Sequence, residues 1–180
     1  VHEHAQMLSA NYNLTAGHPY GSKWYTWPFM VRSVFYWQSD GDRFVYLLGN
    51  PIVWWGSFVL FCIGIMRLFI SLSFPRRRES THIPRMTVQY IFLLGYLGSY
   101  IPLMRVPRVL FLYHYLTPLL FSLLFGIWWL DRALRGRKST IVVCIGVLVI
   151  TGFLCMSPLT YGFGASEAWR HALFFISSWR

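Results

Sequence analysis

The hydrophobic pattern changes along the chain: after residue 50, long apolar runs alternate with short segments rich in arginine. A transmembrane helix takes roughly 20 apolar residues, and we predict membrane spans over about 52–74, 87–104, 109–130 and 140–161. Backbone polar groups inside a bilayer must bond internally, and no run alternates like a barrel strand, so these runs are predicted to be helices. The expected fold is an all-α membrane protein, a four-transmembrane-helix bundle.

Residues 1–50 lack such an apolar run. Aromatic residues and prolines are densest between His18 and Pro28, without a helical or alternating pattern. Proline interrupts backbone hydrogen bonding and biases the preceding residue towards extended backbone, while Trp and Tyr rings favour the membrane–water boundary. We therefore predict two domains: an extracytoplasmic interfacial segment over 1–50, a loop with short helices, and a four-span region over 51–180.

The charge of the chain follows the same division. A hydrophobic fraction of 56% with 12% charged residues excludes an ordinary soluble domain. The formal net charge is +10, and the cations cluster in two connections between predicted spans: Arg76, Arg77, Arg78 and Arg85, then Arg132, Arg135, Arg137 and Lys138. Short connections rich in Lys and Arg stay cytoplasmic. Both termini are therefore predicted to be extracytoplasmic, and the charge indicates topology rather than a nucleic-acid partner.

Five blocks of residues stand out along the chain. The segment from His18 to Pro28 has the pattern H-P-Y-x-S-x-W-Y-x-W-P, and four more blocks follow: Arg32 with Tyr36-Trp37, Gly49-Asn50-Pro51 with Trp54-Trp55, Arg108 with Phe111–Leu116, and Pro158–Gly162. In this order the blocks resemble the C-terminal part of protein O-mannosyltransferases. Two positions depart from the expected pattern, because Ser33 replaces a proline and Thr117-Pro118 replaces an immediate proline.

The resemblance implies a membrane glycosyltransferase that moves mannose from a polyprenyl-phosphate carrier to Ser or Thr hydroxyls of secreted proteins. The lipid-linked mannose donor is then a substrate, no cofactor is evident, and the partners are membrane lipid and secreted acceptor proteins. In that family the catalytic acids lie upstream, so we expect this chain to be the C-terminal piece of a longer protein. The base is expected in the missing N-terminal half; Asp40 and Asp42, in a predicted turn, are the weaker alternative.

Candidate residues for binding the carrier phosphate lie near the third span. Arginine presents a fork of donors that matches phosphate oxygens, and Arg105 and Arg108 lie in a predicted outer connection. His114 is predicted about one and a half turns into the helix, flanked by Tyr113 and Tyr115. All five residues are candidates for carrier or sugar contact; headgroup binding and interfacial anchoring are the alternatives.

The first block supplies the remaining candidates: His18, Ser22, Trp24 and Tyr25. The rings of Trp24 and Trp27 are expected either to stack on a sugar or to pin the loop to the bilayer. On the second span, Tyr96 and Tyr100 are four residues apart and share a helix face. They either extend the polar cluster or belong to an aromatic belt.

Two other functions are compatible with the sequence. One is another lipid-phosphate-sugar-dependent membrane glycosyltransferase; another is a non-catalytic membrane subunit or transporter bundle, although the predicted spans lack the broken polar helices of transporters. No metal site is predicted, since the histidines are scattered. A bacterial-type plasma membrane is favoured over the endoplasmic reticulum, because no eukaryotic signal accompanies the chance-level sequon Asn13-Leu14-Thr15.

Overall fold

The computed structural model describes residues 2–12, 17–39, 43–73, 86–134 and 138–179. In these ranges the helices are α1 (His2–Tyr12), α2 (Pro51–Ser73), α3 (Met86–Met104), α4 (Leu116–Ala133), α5 (Lys138–Tyr161) and α6 (Glu167–Leu173). The strands are β1 (Val34–Gln38) and β2 (Phe44–Leu47), and short 3₁₀ helices cover Trp24–Phe29, Leu112–Tyr115 and Ser177–Trp179. The predicted turn at Asp40 and Asp42, the sequon at Asn13 and most of the arginines predicted to be cytoplasmic lie outside the described residues.

The apolar runs form the predicted helices. Among the described residues, three helical segments are long and apolar enough to cross a membrane, and the apolar part of α3, Val88–Met104, is shorter. α4 packs against both α2 and α3 and is the centre of the bundle. Phe125 of α4 is fully buried, and the Ser122 hydroxyl lies 3.3 Å from the Ser57 carbonyl of α2. The all-α membrane fold is thus confirmed.

The third predicted span begins later than expected. Residues 105–111 are not helical, and Phe111 has extended backbone at φ −132° and ψ 163°. Pro107 interrupts the chain here, because it lacks an N–H and restricts the residue before it. The prediction that His114 lies one and a half turns into an α-helix is therefore wrong. His114 lies in the 3₁₀ helix Leu112–Tyr115, ahead of α4.

The N-terminal segment also contains a β-hairpin that the sequence analysis did not predict. β1 and β2 are antiparallel, with Val34 opposite Leu47 and an irregularity between Phe35 and Trp37. Val34 is buried, whereas Tyr36 and Trp37 are both exposed. The irregularity breaks the alternation of buried and exposed positions, and that alternation is the signal by which a strand is predicted.

The C-terminal tail returns to this N-terminal segment. Trp179 is fully buried, and its indole N–H donates to the Met30 carbonyl at 2.6 Å. The Ser33 hydroxyl donates to the Trp179 carbonyl at 2.7 Å. Proline has no such donor, so the contact gives a physical reason for serine at this position. The segment and the tail share one end of the bundle, which we name the outer end after the side of the membrane predicted for residues 1–50.

Candidate functional site

A groove of about 390 Å³ lies at the outer end, between the first sequence block and the connection from α3 to α4. Its walls are Gly17, His18, Gly21, Ser22, Lys23, Trp24 and Tyr25 on one side and Leu103, Val106, Pro107, Arg108, Val109 and Leu110 on the other. The two walls are joined where the Ser22 backbone N–H donates to the Leu110 carbonyl at 2.8 Å. Five candidates from the sequence, His18, Ser22, Trp24, Tyr25 and Arg108, therefore meet in one groove.

The first wall is a turn held by local hydrogen bonds. The Gly21 N–H donates to the His18 carbonyl at 2.9 Å, and the His18 Nδ1 accepts from the Tyr20 N–H at 3.2 Å. The His18 ring meets the Phe111 ring edge-on, with centroids 5.1 Å apart. These contacts fix the histidine at the groove, with its Nδ1 already engaged by the backbone.

Arg32 clamps this wall from outside the groove lining. Its Nη1 donates to the Pro19 carbonyl at 2.8 Å and to the Gly21 carbonyl at 3.3 Å. A charged donor makes stronger hydrogen bonds than a neutral one, so Arg32 stabilises the turn that carries His18. Arg32 stood out in the sequence through the resemblance alone, and this role was not predicted.

Trp27 has neither of the roles expected for it. It is fully buried, so it is neither a surface platform for a sugar nor a membrane anchor. Its indole N–H donates to the Ser22 hydroxyl at 2.8 Å, and its ring stacks on His114 with centroids 6.2 Å apart. Its carbonyl accepts from the Trp54 indole at 2.7 Å. Trp27 is the packing centre behind the groove, and Trp24 and Tyr25, 37% and 51% exposed, are the aromatic residues that a ligand can reach.

Among the described residues, the groove contains two cations, one from each wall. Arg108 lines it, and Lys23 joins it from the opposite wall, with its Nζ 6.0 Å from the centre of the Tyr25 ring. Arg105 is exposed but does not belong to the lining; its N–H donates to the Pro102 carbonyl at 3.2 Å, where α3 ends. The structure therefore brings Lys23, rather than Arg105, together with Arg108.

The block around His114 supports the groove from behind. Tyr113 is exposed and stacks on His114 with centroids 4.5 Å apart, and the His114 Nδ1 lies 3.1 Å from the Phe111 carbonyl. Tyr115 is 1% exposed and packs on Trp54 and Tyr100, with ring centroids 5.6 Å and 5.5 Å apart. The side chains of Tyr113, His114 and Tyr115 do not line the groove. Burial removes Tyr115 from contact with any ligand there.

The other blocks form the scaffold of the outer end. The Asn50 side chain donates to the Val149 carbonyl of α5 at 2.8 Å and accepts from the Ile52 N–H at 3.0 Å, so it caps α2 and ties two helices together. A Cβ on Gly49 would lie 2.2 Å from the Trp54 ring, so a larger residue does not fit. Gly162 ends α5 with φ of 68°, a conformation that favours glycine.

None of the described residues that line the groove is acidic. The acids within the described part of the chain are Glu3, Asp131 and Glu167. Asp131 lies in the last turn of α4, about 22 Å along the axis from the start of that helix. No group of three or more His, Cys, Asp or Glu residues that could hold a metal occurs in the described ranges. These residues can bind and orient a phosphate-bearing ligand but supply no carboxylate base.

A family model described as the C-terminal four TMM region of protein-O-mannosyltransferase matches residues 1–179. This chain belongs to that family. It is 31% identical over 194 residues to dolichyl-phosphate-mannose–protein mannosyltransferase 1 of Saccharomyces cerevisiae, covering 99% of this chain and 23% of that protein. It is also 31% identical over 170 residues to protein O-mannosyltransferase 1 of Drosophila melanogaster, covering 81% of this chain and 19% of that protein.

The structure of this O-mannosyltransferase region also has a solved counterpart. It matches a chain of the S. cerevisiae protein O-mannosyltransferase Pmt1-Pmt2 complex bound to the sugar donor, with a TM-score of 0.85 and 28% identity. The match covers 98% of this chain and 26% of that chain. The chain thus spans about a quarter of the length of the relatives it matches. Its assignment to the family and to an integral membrane region is established by these comparisons.

Proposed function

We propose that this chain is the carrier-binding part of a mannosyltransferase that transfers mannose from a polyprenyl-phosphate carrier to Ser or Thr of proteins. One observation carries the proposal: His18, Ser22, Trp24 and Tyr25 of the first block converge with Arg108 on one groove at the outer end. The yeast relative is named a dolichyl-phosphate-mannose–protein mannosyltransferase, and the solved relative is described as bound to the sugar donor. Both names agree with a lipid-linked mannose as substrate.

The groove has the chemistry that such a donor requires. Arg108 and Lys23 provide positive charge for the phosphate, and arginine can bind two of its oxygens at once. Leu103, Val106 and Val109 form an apolar wall beside them, suited to the first isoprene units of the carrier. Exposed Trp24 and Tyr25 offer ring faces to the sugar.

In the proposed reaction, the main catalytic requirement is to stabilise the charge on the departing phosphate. The acceptor hydroxyl attacks the anomeric carbon of mannose, the bond from that carbon to the phosphate oxygen breaks, and negative charge grows on the departing phosphate. Fixed donors stabilise such developing charge, which is the role we give to Arg108. The base that takes the hydroxyl proton is proposed to lie in an N-terminal part of a longer protein that contains this chain, since none of the described lining residues is acidic.

The proposed setting is a multi-pass membrane protein whose partners are membrane lipid and secreted acceptor proteins. Both termini of this region are proposed to face the extracytoplasmic side. The bacterial-type plasma membrane favoured by the sequence gains no support from the relatives named above, which come from a yeast and a fly.

Photo-crosslinking of the donor tests the proposal. The longer protein that contains this chain would be incubated in membranes with a polyprenyl-phosphate-mannose analogue that carries a photoreactive group on its first isoprene unit. We expect crosslinks in peptides 17–25 and 103–110, and competition by unmodified donor. Crosslinks confined to other parts of the protein, or equal competition by a polyprenyl phosphate bearing a different sugar, would contradict the proposal.

A further inference from the structure

Two buried tyrosines of α3 contact different parts of the protein. Tyr96 and Tyr100 lie one turn apart on one helix face, with ring centroids 5.3 Å apart, and both are less than 10% exposed. The Tyr100 hydroxyl donates to the Trp24 carbonyl at 2.7 Å. The Tyr96 ring instead packs on Phe61 of α2, with centroids 4.3 Å apart. Tyr100 therefore contacts a residue of the groove wall, whereas Tyr96 contacts the core.

The wall at Trp24 is also held by local hydrogen bonds, since the Lys23 carbonyl accepts from the Thr26 N–H at 2.9 Å and from the Thr26 hydroxyl at 2.7 Å. Trp24 begins the first 3₁₀ helix, and the preceding residue, Lys23, makes no side-chain capping hydrogen bond. The Tyr100 ring packs against both Trp24 and Trp27, each at a centroid distance of 6.1 Å. The bond from Tyr100 thus joins a membrane helix to the exposed part of the groove.

We propose that Tyr100 is a positioning residue, which holds Trp24 and Tyr25 in the arrangement that receives the lipid-linked donor. This inference rests on the proposed function. A partly buried carbonyl left without its partner is unfavourable, so the bond restricts where the Trp24 backbone can lie. A wall that is already ordered loses less conformational freedom when a ligand binds. The contribution of Tyr100 should therefore be seen in donor binding rather than in the reaction step.

Paired substitutions in the longer protein measure this contribution. Tyr100→Phe keeps the ring and removes the hydroxyl, and Tyr96→Phe is the matched control one turn away. For Tyr100→Phe we expect the KM for polyprenyl-phosphate-mannose to rise about threefold to tenfold, the range that one hydrogen bond corresponds to. We expect kcat to stay within about twofold, because the interaction is the same before and during reaction. Tyr96→Phe should leave the donor KM unchanged.

A second measurement does not depend on activity. A cysteine replaces Pro28, which is buried in the 3₁₀ helix Trp24–Phe29, on a background in which the three native cysteines are serines, and its rate of labelling by a water-soluble thiol reagent is measured in membranes. Tyr100→Phe should increase this rate about threefold or more, since freeing the wall exposes it more often, and Tyr96→Phe should not. Equal rates with both substitutions, or failure of Tyr100→Phe to insert in the membrane, would make Tyr100 a packing residue and overturn the inference. An enzyme that uses no mannose donor would contradict the proposed function while leaving the labelling difference intact.

Discussion

Tryptophan has different roles at the two ends of the bundle. At the outer end, indole N–H groups donate at 2.6–3.0 Å to the Ser22 hydroxyl and to backbone carbonyls; the donors are Trp27, Trp54, Trp55 and Trp179. At the opposite end of α4, Arg132 lies 3.8 Å from the Trp128 ring centre, and the Trp129 indole has no hydrogen-bond partner among the described residues. The four tryptophans of the outer end are thus tied to the tertiary structure by hydrogen bonds, whereas the rings of Trp128 and Trp129 contact each other with centroids 5.0 Å apart. A binding site that must keep its shape is expected at the outer end.

The largest expected difference between the two ends is their accessibility to a reagent that is added on one side of the membrane and cannot cross it. Cysteines replace Glu167 of α6 and Ala133 at the end of α4, on a background lacking Cys62, Cys144 and Cys155. In sealed vesicles of known orientation, an impermeant thiol reagent added to the extracytoplasmic side should label position 167 and leave position 133 unlabelled, because arginine-rich connections stay cytoplasmic. The reverse pattern would invert the proposed topology.

The next difference is in stability. Trp27→Ala should destabilise the protein by roughly 3–5 kcal/mol, since it leaves a cavity in a fully buried site and removes the bond to Ser22. Trp128→Ala, which loses a partly exposed ring and its contact with Arg132, should cost about 1 kcal/mol. Thermal denaturation of the detergent-solubilised longer protein measures both. Similar shifts in Tm would mean that the hydrogen-bonded tryptophans are no more important to the fold than the others.

A difference in activity between two arginines is the third expectation. Arg108→Ala removes a donor proposed to stabilise the departing phosphate, and such a loss should cost roughly 2–4 kcal/mol in the transition state, about a hundredfold or more in turnover. Arg108→Lys should recover part of it, because a point charge lacks the bidentate fork.

Arg132→Ala is the control for this experiment, since Arg132 lies at the other end of α4 against Trp128. Its turnover of lipid-linked mannose should stay near that of the unmodified enzyme. Equally mild effects of the two substitutions would leave Arg108 as a headgroup contact.

Features that depend on local sequence could be predicted, whereas features that depend on contacts between distant residues could not. Helices α2 and α5 begin and end close to the predicted limits, because a bilayer requires a continuous apolar run and that signal is local. The start of the third span was misplaced, since the apolar residues 109–111 are compatible with both helix and extended backbone. Pro107 was the local signal that could have corrected it.

The groove itself could be predicted only in part. The resemblance identified residues of both walls, but nothing local shows that Ser22 meets Leu110, or that Trp27 turns inwards while Trp24 stays exposed. Tyr100 was noted for sharing a helix face with Tyr96, yet its partner is the Trp24 carbonyl, a backbone group that leaves no trace in the residue pattern.

The tail contact has a consequence for biosynthesis. Trp179 bonds to Met30 across a separation of 149 residues, and to Ser33 across 146. Contacts between such distant parts of a chain form late, because the intervening loop must first be closed. The packing around Met30 can be completed only after the helices between have been made and inserted. During synthesis this part of the nascent protein therefore remains without its Trp179 contacts until the tail has left the ribosome.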